Sequence, residues 1–121
     1  MNGLNFNDLS KLAKVNPEYT RLFSGLAQID NTIKKYAQDI VCNQADESVY
    51  YIKTELMGQC YNMYLFNSER GAIVGVSWPL VDFLKKCEDK TIEYDVVKKI
   101  TQMIDKFDSK NLYTDNVNWI Y

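Results

Sequence analysis

Residues 48–78, SVYYIKTELMGQCYNMYLFNSERGAIVGVSW, decide between a sheet and a helical bundle. As strands, SVYYIKTEL and QCYNMYLF flank a tight turn centred on Met57-Gly58. YNMYLF and AIVGVSW then flank Asn67-Ser68-Glu69-Arg70-Gly71, a glycine-terminated loop of hairpin length. As a helix, Val49, Ile52, Leu56, Cys60 and Met63 recur at intervals of three and four. Gly58 in mid-segment, the density of tyrosine and β-branched residues, and the NSERG loop favour strands. A three-stranded antiparallel meander is therefore expected, with an all-α bundle as the alternative.

A turn on Met57-Gly58 pairs Tyr50 with Leu65, Ile52 with Met63 and Tyr51 with Tyr64. Alternation then puts Tyr50, Ile52, Leu56, Tyr61, Met63, Leu65 and Ile73 on one face. The other carries Val49, Tyr51, Tyr64, Phe66, Val74 and Val76, diluted by Lys53, Glu55 and Asn62. Two apolar faces require helices on both sides, or a partner on one.

Helices are expected on either side of the meander. Asn5 or Asn7 can cap a short one with Leu9, Leu12 and Val15 inward, and Asn16-Pro17-Glu18 has the cap, fixed φ and acid that start a second. Along that second helix Tyr19, Leu22, Leu26, Ile29, Ile33, Tyr36 and Ile40 form a heptad stripe, while Thr20, Arg21, Ser24, Gln28, Asn31, Lys34, Lys35 and Gln38 face water. The flanking positions hold Phe23, Asp30, Ala37, Gly25, Thr32 and Asp39, which are not the charge pairs of a parallel zipper. The stripe serves either as internal core or, through Leu22, Leu26, Ile29, Ile33 and Tyr36, as the seam of a homodimer. After the meander, Ser77-Trp78-Pro79 reads as the cap and opening of a helix through Cys87. Thr91–Tyr94 reads as an extended link, and a last helix follows Asp95 with Val96, Ile100, Met103 and Phe107 on one stripe. The tail NLYTDNVNWIY is an edge strand or an aromatic peg. The expectation is thus α+β: two N-terminal helices, a three-stranded meander and two C-terminal helices in a single domain spanning 1–121.

Composition narrows the function classes. With 121 residues, a net charge of −2 and 46% apolar residues, the chain is ordinary for a globular domain. It is neither basic enough for a dedicated nucleic-acid binder nor acidic enough for a DNA mimic. Cys42, Cys60 and Cys87 are odd in number and widely spaced, giving no disulfide framework or zinc spacing. MNGLNFNDLS lacks the basic and apolar regions of a signal peptide, and GAIVGVSWPLV is too short to span a bilayer. A cytoplasmic location and no membrane partner are expected.

Catalytic chemistry has few carriers. Histidine is absent, which removes the commonest general base, its nucleophile pairs and a common metal ligand. GAIVG is not a phosphate cradle. Glu55 and Asp82 are lone carboxylates whose ordinary roles are surface and capping, and Asp105, Asp108 and Asp115 do not follow a calcium loop. Lys85-Lys86 beside Cys87 would lower a thiol pKa, although an inert buried thiol fits the helix better. No enzyme, cofactor or metal site is expected.

Two binding readings remain. Surplus aromatic residues, Tyr51, Tyr64 and Phe66 on one sheet face with Trp119 and Tyr121 on the tail, suit a protein interface. Chains of this size, acidity and richness in tyrosine and asparagine occur among phage, mobile-element and toxin-immunity products, an association of composition that matches no family. The aromatic surplus itself is what suggests a protein that occupies a partner's surface, as an inhibitor or immunity protein does. Alternatively Lys34-Lys35, Lys85-Lys86 and Lys98-Lys99 would bind nucleic acid if the fold brought them together with tyrosines, although each pair has acids nearby.

Overall fold

The computed structural model describes residues 26–45, 48–108 and 111–120. The expected short first helix, the Asn16-Pro17-Glu18 start, Leu22 and Tyr121 lie outside them. In order come α1 (Leu26–Gln44), β1 (Tyr50–Met57), β2 (Cys60–Asn67), β3 (Ala72–Pro79), α2 (Leu80–Glu88), α3 (Ile92–Lys106) and β4 (Val117–Trp119). The fold is α+β, with three described helices and a mixed sheet in the order β1-β2-β3-β4. The expected meander is present, but the tail adds a fourth strand parallel to β3, pairing Ile73 with Val117 and Gly75 with Trp119.

The first hairpin turns one residue later than Met57-Gly58. Met57 pairs with Cys60, leaving Gly58-Gln59 as the loop, and Gly58 takes the positive φ of +62° that the first central position of a II′ turn requires. Pairing therefore shifts by two residues from expectation: Tyr50 faces Asn67, Ile52 faces Leu65 and Tyr51 faces Phe66. A two-residue slip preserves the faces of β1 and β2.

The second hairpin does not preserve them. Asn67 extends β2 and pairs with Ala72, so the connection is four residues, not five. The Asn67 side chain explains this, because its Oδ1 accepts the amides of Glu69 and Arg70 while its carbonyl accepts that of Gly71. The resulting one-residue change flips β3, so Val74 and Val76 point into the core and Ile73 to the opposite face. Ser77-Trp78-Pro79 completes β3 instead of opening a helix, and α2 starts at Leu80. At its end the Thr91 amide reaches the Lys86 carbonyl and the Lys90 amide reaches Cys87, a Schellman closure with Lys90 at φ +61° where glycine is usual. Thr91–Tyr94 is not an extended link: α3 begins at Ile92, placing Ile92, Val96, Ile100 and Met103 on its buried stripe.

One layer of helices covers one face of the sheet. Leu56, Tyr61, Met63, Leu65, Val74, Val76 and Trp78 meet Leu26, Ile33, Ala37 and Val41 of α1 and the inner sides of α2 and α3 in a single core. Under α2 the Tyr61 and Phe83 rings stack with centroids 3.9 Å apart, and Trp78 lies 5.8 Å from Phe83. The heptad stripe faces this core: Leu26 and Ile33 are buried, and Ile29, Tyr36 and Ile40 pack against it. A dimer seam through Leu26 and Ile33 would require α1 to leave its own sheet.

Between Leu26 and Ile33 the seam contains an acid. Asp30, counted from sequence as a flanking polar position, is buried. Its Oδ1 accepts the Thr54 hydroxyl at 2.7 Å and the Tyr61 hydroxyl at 2.5 Å, and its Oδ2 is 3.3 Å from Lys34 Nζ. Burial, with the Asp30 charge second, pushes the Tyr61 hydroxyl far above its ordinary pKa, so it stays a donor. α1 also reaches the sheet edge, where Gln38 Oε1 accepts the Ile52 amide at 3.2 Å. Asp30→Ala strands two buried hydroxyls and is expected to cost about 3 kcal/mol in denaturant unfolding; a loss below about 1 kcal/mol would show that the carboxylate does not hold α1 to the sheet.

Candidate functional site

The sheet face opposite the helices can be read row by row from the strand register. The first row is Tyr51, Phe66, Ile73 and Val117; the second is Lys53, Tyr64, Gly75 and Trp119; the third is Glu55, Asn62 and Ser77. Alternation brings these side chains to one side, and pairing places them beside one another.

The first two rows form an aromatic surface. Tyr51 and Phe66 have ring centroids 4.9 Å apart, and Tyr64 and Trp119 are 5.8 Å apart. Lys53 Nζ stands 5.6 Å from the Tyr51 ring centre. Tyr51 is 41% and Trp119 37% exposed, so both offer ring surface to solvent. Of the five residues picked from sequence as partner anchors, Tyr51, Tyr64, Phe66 and Trp119 thus share this face; Tyr121 lies outside the described residues.

Gly75 makes this closeness possible. A Cβ there would come within 2.8 Å of Val117 Cγ1 and 3.0 Å of Trp119 Cζ3, so only a bare backbone lets the indole lie across β3 towards Tyr64. Asn118 fixes the tail from the other side. Buried, it donates from Nδ2 to the carbonyls of Ile73 and Tyr113 and accepts the Tyr113 amide.

The third row is polar and ordered. Asn62 Nδ2 donates to Tyr64 Oη at 3.1 Å, and Tyr64 Oη donates to Glu55 Oε1 at 2.8 Å. Burial, followed by the bond to Glu55, holds the Tyr64 hydroxyl above its usual pKa. Glu55 therefore serves as an acceptor in a chain of neutral donors. Beside this row, between Met57, Cys60, Lys99 and Trp119, lies a hollow of about 410 Å³.

Other candidates behave differently. Asp82 is exposed on α2. The lysine pairs are partly engaged, Lys34 with Asp30 and Lys86 with Asp95 at 3.1 Å. Burial opposes ionisation of Asp95, but hydrogen bonds from Lys86 and Trp78 outweigh it and lower its pKa. Among the described residues no three metal-ligating side chains converge. A second hollow of about 570 Å³ lies between α1 and the α2–α3 turn, with Ile29, Ile33 and Cys87 in its wall. There burial pushes the Cys87 thiol up to about 11, so the lysines do not activate it. Cys42 is exposed.

Sequence reasoning missed Asp30 and Asn62. Asp30 carried a readable signal, since Leu26, Asp30, Ile33, Ala37 and Val41 also recur at intervals of three and four, with one acid among them a turn before Lys34. Asn62 carried none, being one of eleven asparagines in a strand that alternates imperfectly.

The chain matches no family model, no curated protein and no solved structure. The reading of its function therefore rests on the face itself.

Two outcomes test this geometry. Gly75→Val should drive the indole off β3, so the Trp119 side-chain NMR resonance moves to a solvent-exposed position and the Ile120 amide, which donates to Gly75, loses exchange protection. An unchanged indole resonance would contradict the close approach. In alkylation at pH 8 followed by peptide mapping, Cys42 should react well before Cys87, because a thiol with a pKa near 11 is only about one part in a thousand thiolate. Equal rates would contradict the burial of Cys87.

Proposed function

We propose that this is a non-enzymatic protein-binding module of the inhibitor or immunity type, which works by covering a partner's surface with its outer sheet face. The observation that carries the reading is the grouping of Tyr51, Phe66, Tyr64 and Trp119 on one face, two of them well exposed, with Lys53 at the margin. Flat aromatic groups held by a rigid sheet lose little entropy on docking and supply large contact areas, as interface anchors do. The partner complementary to such a face is a protein surface of aliphatic side chains with an acid opposite Lys53.

The acids support the non-enzymatic part. Asp30 is taken up by Thr54, Tyr61 and Lys34, Glu55 by Tyr64, and Asp95 by Lys86 and Trp78. Each is committed to structure instead of poised for proton transfer. The same engagement of Lys34 and Lys86 draws charge away from the lysine-pair reading, in which nucleic acid would be the partner.

Affinity capture from the native host tests the proposal, with wild type, Tyr51→Ser and Trp119→Ala compared side by side after circular dichroism shows each folded. The expected result is a protein retained by wild type, stable to about 0.5 M salt, and lost with either substitution. Recovery of nucleic acid that elutes steeply with salt would replace this reading with the lysine-pair one, and retention of nothing would count against both.

A further inference from the structure

The outer side of β1 is complementary to itself. Alternation puts Tyr51, Lys53, Glu55 and Met57 on that side, in the order apolar, cation, anion, apolar. Reversed, the series reads apolar, anion, cation, apolar. An antiparallel copy laid on it therefore opposes Tyr51 to Met57 and Lys53 to Glu55, each twice. A parallel copy would set Lys53 on Lys53 and Glu55 on Glu55. The four side chains are open to such a contact. Met57 is 57% and Tyr51 41% exposed, more than any other large apolar side chain of the sheet. Lys53 is exposed, and among the described residues no carboxylate pairs with it. Glu55 meets Tyr64 through Oε1 alone, which leaves it room for a second donor.

Strand pairing carries the symmetry across the sheet. The midpoint of the series is Thr54, which faces Met63 of β2, and Met63 faces Val76 of β3. On one side of this level lie the aromatic row and the row of Lys53 and Tyr64. On the other lie the polar row and, beyond it, a fourth row of Met57, Cys60 and Pro79. A two-fold axis that crosses the strands at this level, in the plane between two facing sheets, exchanges the two ends. It sets the aromatic row of each copy on the sulfur-bearing row of the other, with Phe66 against Cys60 and Tyr51 against Met57. Sulfur against an aromatic ring is a favourable contact.

We propose that two copies of this chain pack outer face to outer face about this axis, with Tyr51 of each on Met57 of the other and Lys53 paired with Glu55. Facing sheets with nearly aligned strands are ordinary sandwich packing. The exposed ion pairs fix the orientation of the copies more than the strength of the contact. This dimer rests on the reading of the face as a docking surface, and names the occupant that the face takes when no other protein is bound. Second copy and partner cover the same rings, so each excludes the other. Three strands of eight residues and one of three give a face of roughly 400 Å² per copy, the size of a transient contact. The dimer accordingly has a Kd of about 100 μM and yields to a tighter partner.

Sedimentation equilibrium of the purified full chain, from about 10 μM to about 1 mM, tests the association, and NMR of mixed labelled and unlabelled chains tests its geometry. The mean mass should rise from that of one chain towards that of two. Lys53→Glu and Glu55→Lys, each shown folded by circular dichroism, should each associate about tenfold more weakly, because each sets like charges opposite one another. Mixed one to one they should associate again, since together they restore both pairs of opposite charge. An intermolecular NOE should join the Tyr51 ring to the Met57 methyl group; within one strand the two lie about 20 Å apart, far beyond NOE reach. A monomer throughout would overturn the dimer and leave the partner reading to the capture experiment. A mixture no tighter than its components, or association without the Tyr51–Met57 NOE, would overturn this arrangement. Should Glu55→Lys not fold, Lys53→Glu and the NOE decide the matter: association of Lys53→Glu at wild-type strength would overturn it. A dimer with that NOE, beside an empty capture, would count against the partner reading alone.

Discussion

Burying a carboxylate is expensive unless every lone pair is met, and Asp30 shows how the fold meets that demand. Three donors converge on it from three elements: Thr54 and Tyr61 from neighbouring strands, and Lys34 from the next turn of its own helix. Apolar contacts along Leu26, Ile33, Ala37 and Val41 would tolerate small rotations or slips of α1. Two hydrogen-bonded hydroxyls and an ion-paired ammonium at one point do not. With α1 fixed in rotation and register, Gln38 falls opposite the Ile52 amide and occupies one donor of the exposed β1 edge. The Tyr61 ring, anchored by its hydroxyl, then presents a flat surface on which Phe83 stacks and α2 settles.

Helix-sheet packing on one side leaves the other side of the sheet to be organised by the strands alone. There the register produces an ordered sequence from apolar to polar: aromatic and aliphatic, then aromatic over glycine, then a hydrogen-bonded polar row. The middle row links the other two. Tyr64 contributes its ring to the Trp119 contact and its hydroxyl to the Asn62–Glu55 chain, so one side chain orders both the apolar and the polar part of the face.

The α+β class was readable because strand signals are local: tyrosine and β-branched density, a glycine turn and a loop of hairpin length. The faces of β1 and β2 were readable for the same reason, since a two-residue error in register leaves period-two alternation intact. β3 was not readable, because its face depended on whether Asn67 belonged to the strand or the loop, and an asparagine supports either. Its side chain bonding to the amides of Glu69 and Arg70 decided the matter. Ser77-Trp78-Pro79 looked like a helix start because serine and proline favour that role, yet pairing with β2 overrode the local preference. Of the candidate site, the aromatic members were legible as residue types. That Trp119 would reach Tyr64 was not, because a parallel strand 44 residues from its partner leaves no local trace.

That long-range pairing separates the fold into two orders of assembly. The two hairpins close through neighbouring residues, whereas β4 has a place to lie only after α2 and α3 have carried the chain back to β3. A strand of three residues at a sheet edge, held by its pairing with β3 and by Asn118, is a short element whose release would leave the hairpins paired. Its release would remove the Trp119 indole from the outer face and bare the backbone of Gly75. The aromatic surface is therefore not a property of the meander alone: it is complete only while β4 is paired with β3.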